Sequence, residues 1–129
     1  MRKDPRVLTD AAPAAFIPST DLDRSRAFYE GTLGLRLVEA NPARLILDVA
    51  GTKLSVVKVG DSLDPQPFTI FGWEVADLDA TIAALAERGI EFLRYDGFDQ
   101  DAAGVWTAPS GTRVAWFEDP EGNNLSVND

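Results

Sequence analysis

Apolar and polar positions follow two periods along the chain, and the same succession of periods occurs twice. AAFIPST reads as a strand, and TDLDRSRAFYEGTLG follows with helical spacing. Thr20 is the expected N-cap, Leu22, Phe28 or Tyr29, and Leu33 share a face, and Gly34 ends the helix. Three β-like runs come next, LRLVEA, ARLILDVA and TKLSVVKV, with Ala50-Gly51-Thr52 as a hairpin between the last two. The second half opens on FTIFGWEV, again a strand. ADLDATIAALAERG then places Leu78, Ile82 and Leu85 on one helical face and stops at Gly89. EFLRYDG, GVWTAP, TRVAWFED and NNLSV read as the β-like remainder. The last two are joined by DPEGN, in which Pro120 presets φ, Gly122 accepts φ > 0, and Asp119 and Asn123 can mimic a turn of backbone.

The order β-α-β-β-β therefore occurs twice, and the halves align in letters: TDLD with ADLD, KLSVV with NLSVN. A period of roughly 60 residues in two copies predicts pseudo-twofold symmetry, since a solenoid needs at least three repeats. The predicted organisation is a tail over 1–12, a first βαβββ module over 13–64, and a second over 68–129. Pro65-Gln66-Pro67 links the modules. The late hairpin exists because the second half must complete the sheet that the first half already has.

Composition narrows the chemistry. With 45% hydrophobic and 26% charged residues, the 129-residue chain has the make-up of a soluble globular protein. No apolar run approaches the ~20 residues that span a bilayer. The opening MRKDPRVLTDAAPAAF carries positive charge but no continuous apolar stretch, which predicts no secretory signal. There is no cysteine, hence no disulfide or thiolate chemistry, and a cytoplasmic location is expected. There is no histidine either. Transition-metal sites lose their commonest ligand, and Ser–His or Cys–His nucleophile pairs are excluded. The net charge of −9 is uneven: residues 1–73 hold nine acids and nine bases, residues 74–129 twelve acids and three bases. Such a field repels nucleic acid and favours cations, while also serving solubility.

DLDRSRAFYEGTLGL, ADLDATIAALAERGIEF and WFEDPEGNNLSV, in this order, resemble the vicinal-oxygen-chelate superfamily, which includes glyoxalase I, bleomycin-resistance proteins and extradiol dioxygenases. The resemblance runs from about Ala14 to Val127. It implies an α+β fold in which two tandem βαβββ modules form a curved mixed β-sheet cavity. It also implies, in catalytic members, a metal held by one side chain from the first and one from the last strand of each half. Counting back seven residues from Asp21 and Asp77 gives Ala14 and Ile70, and the two LSV strands give Ser55 and Ser126. Divalent metals need imidazole nitrogen or carboxylate oxygen, and this quartet offers neither. The expectation is no metal, no cofactor, and a neutral, partly apolar pocket.

Period-two alternation sets Ile70, Gly72 and Glu74 on the cavity face and Phe71, Trp73 and Val75 toward the helix. Trp73 is thus read as core. Trp106 and Trp116 are open to either reading, core or pocket, and Phe16 shares the Ala14 face. Glu74 is a candidate general base, or a solvated strand end. Asp96, Asp99 and Asp101 form a solvated acidic loop or a gate for a cationic ligand. Calcium is not indicated, because Thr107 stands where a bidentate glutamate would be required.

Three functions compete. The first is binding or sequestering a small aromatic molecule, neutral or cationic, as in antibiotic-resistance members that carry no catalytic metal. Its expected contacts are Phe16, Ser55, Ile70, Trp106, Trp116 and Ser126. The second is a metal-independent isomerase or lyase using Glu74, and the third a retained fold with an interaction role. Metal-dependent lyase or dioxygenase activity is disfavoured by the missing histidines. The superfamily resemblance implies a homodimer; no nucleic-acid or membrane partner is expected.

Overall fold

The computed structural model describes residues 5–129. The first four residues of the expected tail lie outside it. Residues 5–13 are exposed and form neither helix nor strand.

Two four-stranded sheets carry the chain. β1 (Ala14–Ser19), β2 (Arg36–Ala40), β3 (Arg44–Val49) and β4 (Thr52–Lys58) assemble in the order β1-β4-β3-β2. β5 (Phe71–Glu74), β6 (Trp106–Thr107), β7 (Arg113–Glu118) and β8 (Asn124–Asn128) assemble as β5-β8-β7-β6. In each sheet the first strand pairs parallel with the last, and the other pairs are antiparallel. The two rows that centre on the serines correspond: Phe16–Ser55–Ile46 in one sheet, Gly72–Ser126–Trp116 in the other. The α+β tandem-module architecture expected from the repeat is the one observed.

The helices begin on aspartate. Asp21 accepts from Arg24 N at 3.1 Å, and Asp77 accepts from Ala80 N at 3.0 Å, capping α1 (Leu22–Arg26) and α2 (Leu78–Glu87). This corrects the expected N-cap at Thr20, whose hydroxyl is used elsewhere. α1 widens into a π-helical turn over Ala27–Thr32, closed by Leu33 N on Phe28 O at 2.9 Å. The wider turn lets two consecutive side chains, Phe28 and Tyr29, both point inward and become buried.

The strand expected over EFLRYDG does not form. Leu93 N reaches Trp116 O at 2.7 Å. Beyond it, the side chain of Gln100 takes the backbone groups a ladder would need. Its amide donates to Leu93 O, and its carbonyl accepts from Tyr95 N. β6 serves as the fourth strand instead.

One core joins the modules on their helix-bearing faces. Ile17, Leu54, Val56 and Leu47 from the first sheet and Phe117, Leu125 and Val127 from the second all belong to it. Phe117 is the hinge of this packing. It stacks on Trp73 (centroids 6.2 Å, 18° between planes), meets Phe92 edge-on at 5.8 Å, and lies 6.5 Å from Phe28 of the other module. Among the described residues, no helix is long and apolar enough to cross a membrane.

Candidate functional site

The site is the helix-free face of the two sheets. On the second sheet this face carries Gly72, Glu74, Trp106, Val114, Trp116, Asn124, Ser126 and Asn128, as the pairing register and alternation require. Ser126 is wedged there. A Cβ built on Gly72 would come within 2.7 Å of Ser126 Oγ and 3.1 Å of its carbonyl oxygen, so the parallel pair closes only because residue 72 is glycine. On the first sheet, Ser55 is buried (1% exposed) between Phe16 and Ile46, and Phe16 itself is 65% exposed.

The two tryptophans do not stand alone. Trp106 and Trp116 lie 6.2 Å apart, tilted by 33°. Tyr95 meets Trp116 edge-on at 5.3 Å, and Phe98 touches both indoles, edge-on to Trp106 at 5.2 Å and tilted against Trp116 at 5.7 Å. Asn124, two residues from Ser126, donates its amide to Tyr95 Oη at 2.5 Å and so orients that ring. The result is a four-ring platform beside Ser126. Tyr95 and Phe98 were missed in the sequence because the segment that carries them follows no strand or helix period. The one available signal was aromatic spacing across an acidic loop.

Cationic side chains are spent elsewhere. Arg113 points to the helix side and binds Asp79 and Asp129, and Arg88 donates to Thr32 O. Arg94 donates to the carbonyls of Asp101 and Ala102. These are all three bases of the acidic second half. Asp101, open in the sequence to a solvated loop or a gate, accepts from Ala103 N and Val105 N at 2.9 Å each and so builds the loop. Asp96 and Asp99 are exposed.

The quartet fails as a metal site. Ala14 and Ile70 each stand two residues before the partner of a serine, at matching positions in the two sheets. Ala14 is exposed, and Ile70 lies just before β5 with its N–H on Asn124 O. Two methyl-bearing chains and two neutral hydroxyls give a divalent ion no anionic oxygen and no imidazole. Among the described residues, no group of three or more acidic residues is arranged to hold a metal. Glu74 is exposed at the end of β5, paired with Asn128.

The DPEGN turn is also more than a turn. Asp119 Oδ1 accepts from Glu121 N and Asn123 N, each at 2.9 Å. Its Oδ2 accepts from Tyr29 Oη at 2.6 Å and Asn123 Nδ2 at 2.9 Å. Burial first, and then the adjacent Asp119 charge, push the Tyr29 phenol well above its ordinary range, so it stays a donor. Glu121 reaches the start of α1 and accepts from Thr20 N, Thr20 Oγ1, Asp21 N, Ser19 Oγ and Arg24. The second module is thereby clasped to the first.

Paired β-α-β-β-β sheets with an open aromatic face and no metal donors define a metal-ligand-free form of the tandem-module fold. The chain belongs to the Glyoxalase/Bleomycin resistance protein/Dioxygenase superfamily, whose sequence profile matches residues 12–127. It is similar to a solved glyoxalase/bleomycin resistance protein/dioxygenase from Alicyclobacillus acidocaldarius: 25% identity over 92% of this chain and 90% of that one, TM-score 0.68. It also resembles a superfamily member from Sphaerobacter thermophilus, with 24% identity, coverage of 91% and 94%, and a TM-score of 0.69. A lactoylglutathione lyase from Agrobacterium tumefaciens shares the fold, with 17% identity, coverage of 92% of each chain and a TM-score of 0.70. No curated protein matches the chain in sequence.

Proposed function

We propose that the chain binds or sequesters a small aromatic molecule, neutral or cationic, on the helix-free face of its second sheet. Trp106 and Trp116 supply the stacking surface, with Ser126 and Ile70 beside it. The observation that carries this reading is the four-ring platform on a face from which the three local bases are withdrawn. Indole faces attract flat rings and cations, while the acidic half of the chain disfavours anions such as a glutathione conjugate. Saturable quenching of tryptophan fluorescence by a cationic aromatic is the expected result. Trp116→Ala should weaken that binding by roughly five- to thirty-fold, corresponding to about 1–2 kcal/mol. If anionic aromatics quench while cationic ones do not, or if Trp106→Ala and Trp116→Ala both bind like the wild type, the platform is not the site.

The main clefts on the described surface are lined by none of Phe16, Ser55, Ile70, Trp106, Trp116 and Ser126. On the helix-free faces Phe16 is 65% exposed in one copy of the chain. We propose that a second copy covers these faces, bringing Phe16 and Ser55 of one chain to the aromatic platform of the other. Light scattering is then expected to give twice the 14.0 kDa chain mass. A monomer at tens of micromolar would refute the shared cavity. Glu74 shares the platform's face and is the candidate base for a metal-independent isomerase or lyase. That reading is the weaker one, because water rather than a dry pocket surrounds this exposed carboxylate.

A further inference from the structure

One of the chain's own rings already lies against both indoles of the platform. Phe98 is 44% exposed, and its ring lies 5.7 Å from Trp116 at a tilt of 32° and edge-on to Trp106. It also meets Tyr95 at 5.9 Å. Nothing in the core needs it: Phe98 is absent from the cluster that joins the modules. Its ring contacts are the two indoles and Tyr95.

The loop that carries Phe98 has firm shoulders and a lightly held tip. On the shoulders, Gln100 Nε2 donates to Leu93 O and Gly104 O, each at 2.8 Å, and Tyr95 N donates to Gln100 Oε1 at 2.7 Å. Arg94 and Asp101 fix the segment after the tip. Asp96-Gly97-Phe98-Asp99 between these anchors is held by two longer backbone contacts, Phe98 N to Tyr95 O at 3.3 Å and Gln100 N to Phe98 O at 3.1 Å. Gly97, at φ 86°, supplies the backbone freedom for a tight tip. The tip is thus held by fewer bonds than its shoulders.

We propose that Phe98 is an internal occupant of the aromatic platform, a plug that a ligand must displace, and that the ligand displacing it is a fused-ring organic cation. This rests on the binding reading above and specifies its ligand class. A single phenyl ring already spans parts of both indoles, so a competitor gains only by covering more of them. With the indole centroids 6.2 Å apart, a three-ring face extends over more of both indoles than the single ring of Phe98 does. Positive charge gives the second advantage, because the exposed Asp96 and Asp99 flank Phe98 on the same loop and the surrounding half of the chain is acidic. Phe98 thus sets a threshold of affinity: small neutral rings fail to exceed it.

The test uses 10-methylacridinium as the probe, with naphthalene-2-sulfonate as an anionic control, and reads tryptophan quenching. Phe98→Ala is expected to tighten acridinium binding three- to ten-fold, and Phe98→Leu by less, since leucine retains bulk without a ring. Trp116→Ala should weaken binding in the same assay. Binding seen only in Phe98→Ala also supports the plug. If Phe98→Ala binds equally or more weakly while Trp116→Ala weakens binding, Phe98 is a wall or a bystander: the plug is overturned and the platform stands. If neither wild type nor Phe98→Ala shows saturable quenching, the plug and the binding reading both fall. The urea midpoint of each variant checks that it is folded, and Phe98→Leu keeps the test decisive if alanine unsettles the loop.

Discussion

Replacing Asp119 by alanine is expected to cost the fold about 3–5 kcal/mol, read as a shift in the urea midpoint at pH 7. The carboxylate serves four donors at once: the N–H groups of Glu121 and Asn123, the Asn123 amide, and the Tyr29 phenol from the other module. Asp119 and Tyr29 are both buried, so truncation leaves donors facing no acceptor and no water. Each such orphan costs about 1–3 kcal/mol, more than the bond itself contributed. Asp119→Asn is a sharper probe. Its oxygen can keep the two backbone N–H groups, but its new NH2 then meets the Asn123 amide, donor against donor. Tyr29→Phe removes a single bond and should cost less, about 1–2 kcal/mol. An Asp119→Ala variant within 1 kcal/mol of wild type would show that the turn is dispensable to the joining of the modules.

This clasp marks the boundary of what the sequence made legible. The duplicated helix phrases and LSV strands fixed the two modules, because hydrophobic period and helix capping are local properties. Asp21 and Asp77 occupy the same place in TDLD and ADLD, and both cap their helices. The neighbouring Thr20 looked equally fit to cap; only the contact with Glu121, 101 residues away, shows why its hydroxyl is otherwise engaged. DPEGN was readable as a turn from its own residues. That its two carboxylates reach across to Tyr29 and to the start of α1 depends on how the modules pack, which no local pattern encodes. The same limit applies on the helix-free face. Alternation could place Trp73 among the core side chains, where it stacks on Phe117. Phe98 sits in a loop whose shape is set by the Gln100 side chain, and side-chain bonds of that kind leave no periodic trace.

Acidification is expected to weaken the clasp at Glu121 as the pH falls from about 4.5 towards about 2. The Glu121 side chain is 4% exposed, and burial alone would raise its pKa. The hydrogen bond from Arg24 and those from the Thr20 hydroxyl and N–H outweigh that penalty and hold the carboxyl at about 2, against an ordinary value of 4.5. A folded-state pKa below the unfolded one contributes stability that is complete above the unfolded value. It is lost as pH falls through the folded one, so the window runs from about 4.5 down to about 2. The difference is worth about 3 kcal/mol at neutral pH. Other carboxylates titrate nearby, so the measurement is a comparison: urea unfolding of wild type and Glu121→Gln at pH 7, 5, 4 and 3. At pH 7 the variant should be the less stable, because its amide NH2 faces the Arg24 guanidinium. The gap should then narrow steadily below pH 4.5, as Glu121 of the unfolded wild-type chain takes up a proton that the folded chain still refuses. Arg24→Met provides the converse. Removing the strongest hydrogen bond to the carboxylate should move the acid loss to higher pH, and added salt should mimic part of this effect because Arg24 is half exposed. A wild-type-to-Glu121→Gln gap that stays constant from pH 7 to pH 3 would mean that Glu121 does not carry the acid sensitivity of the module junction.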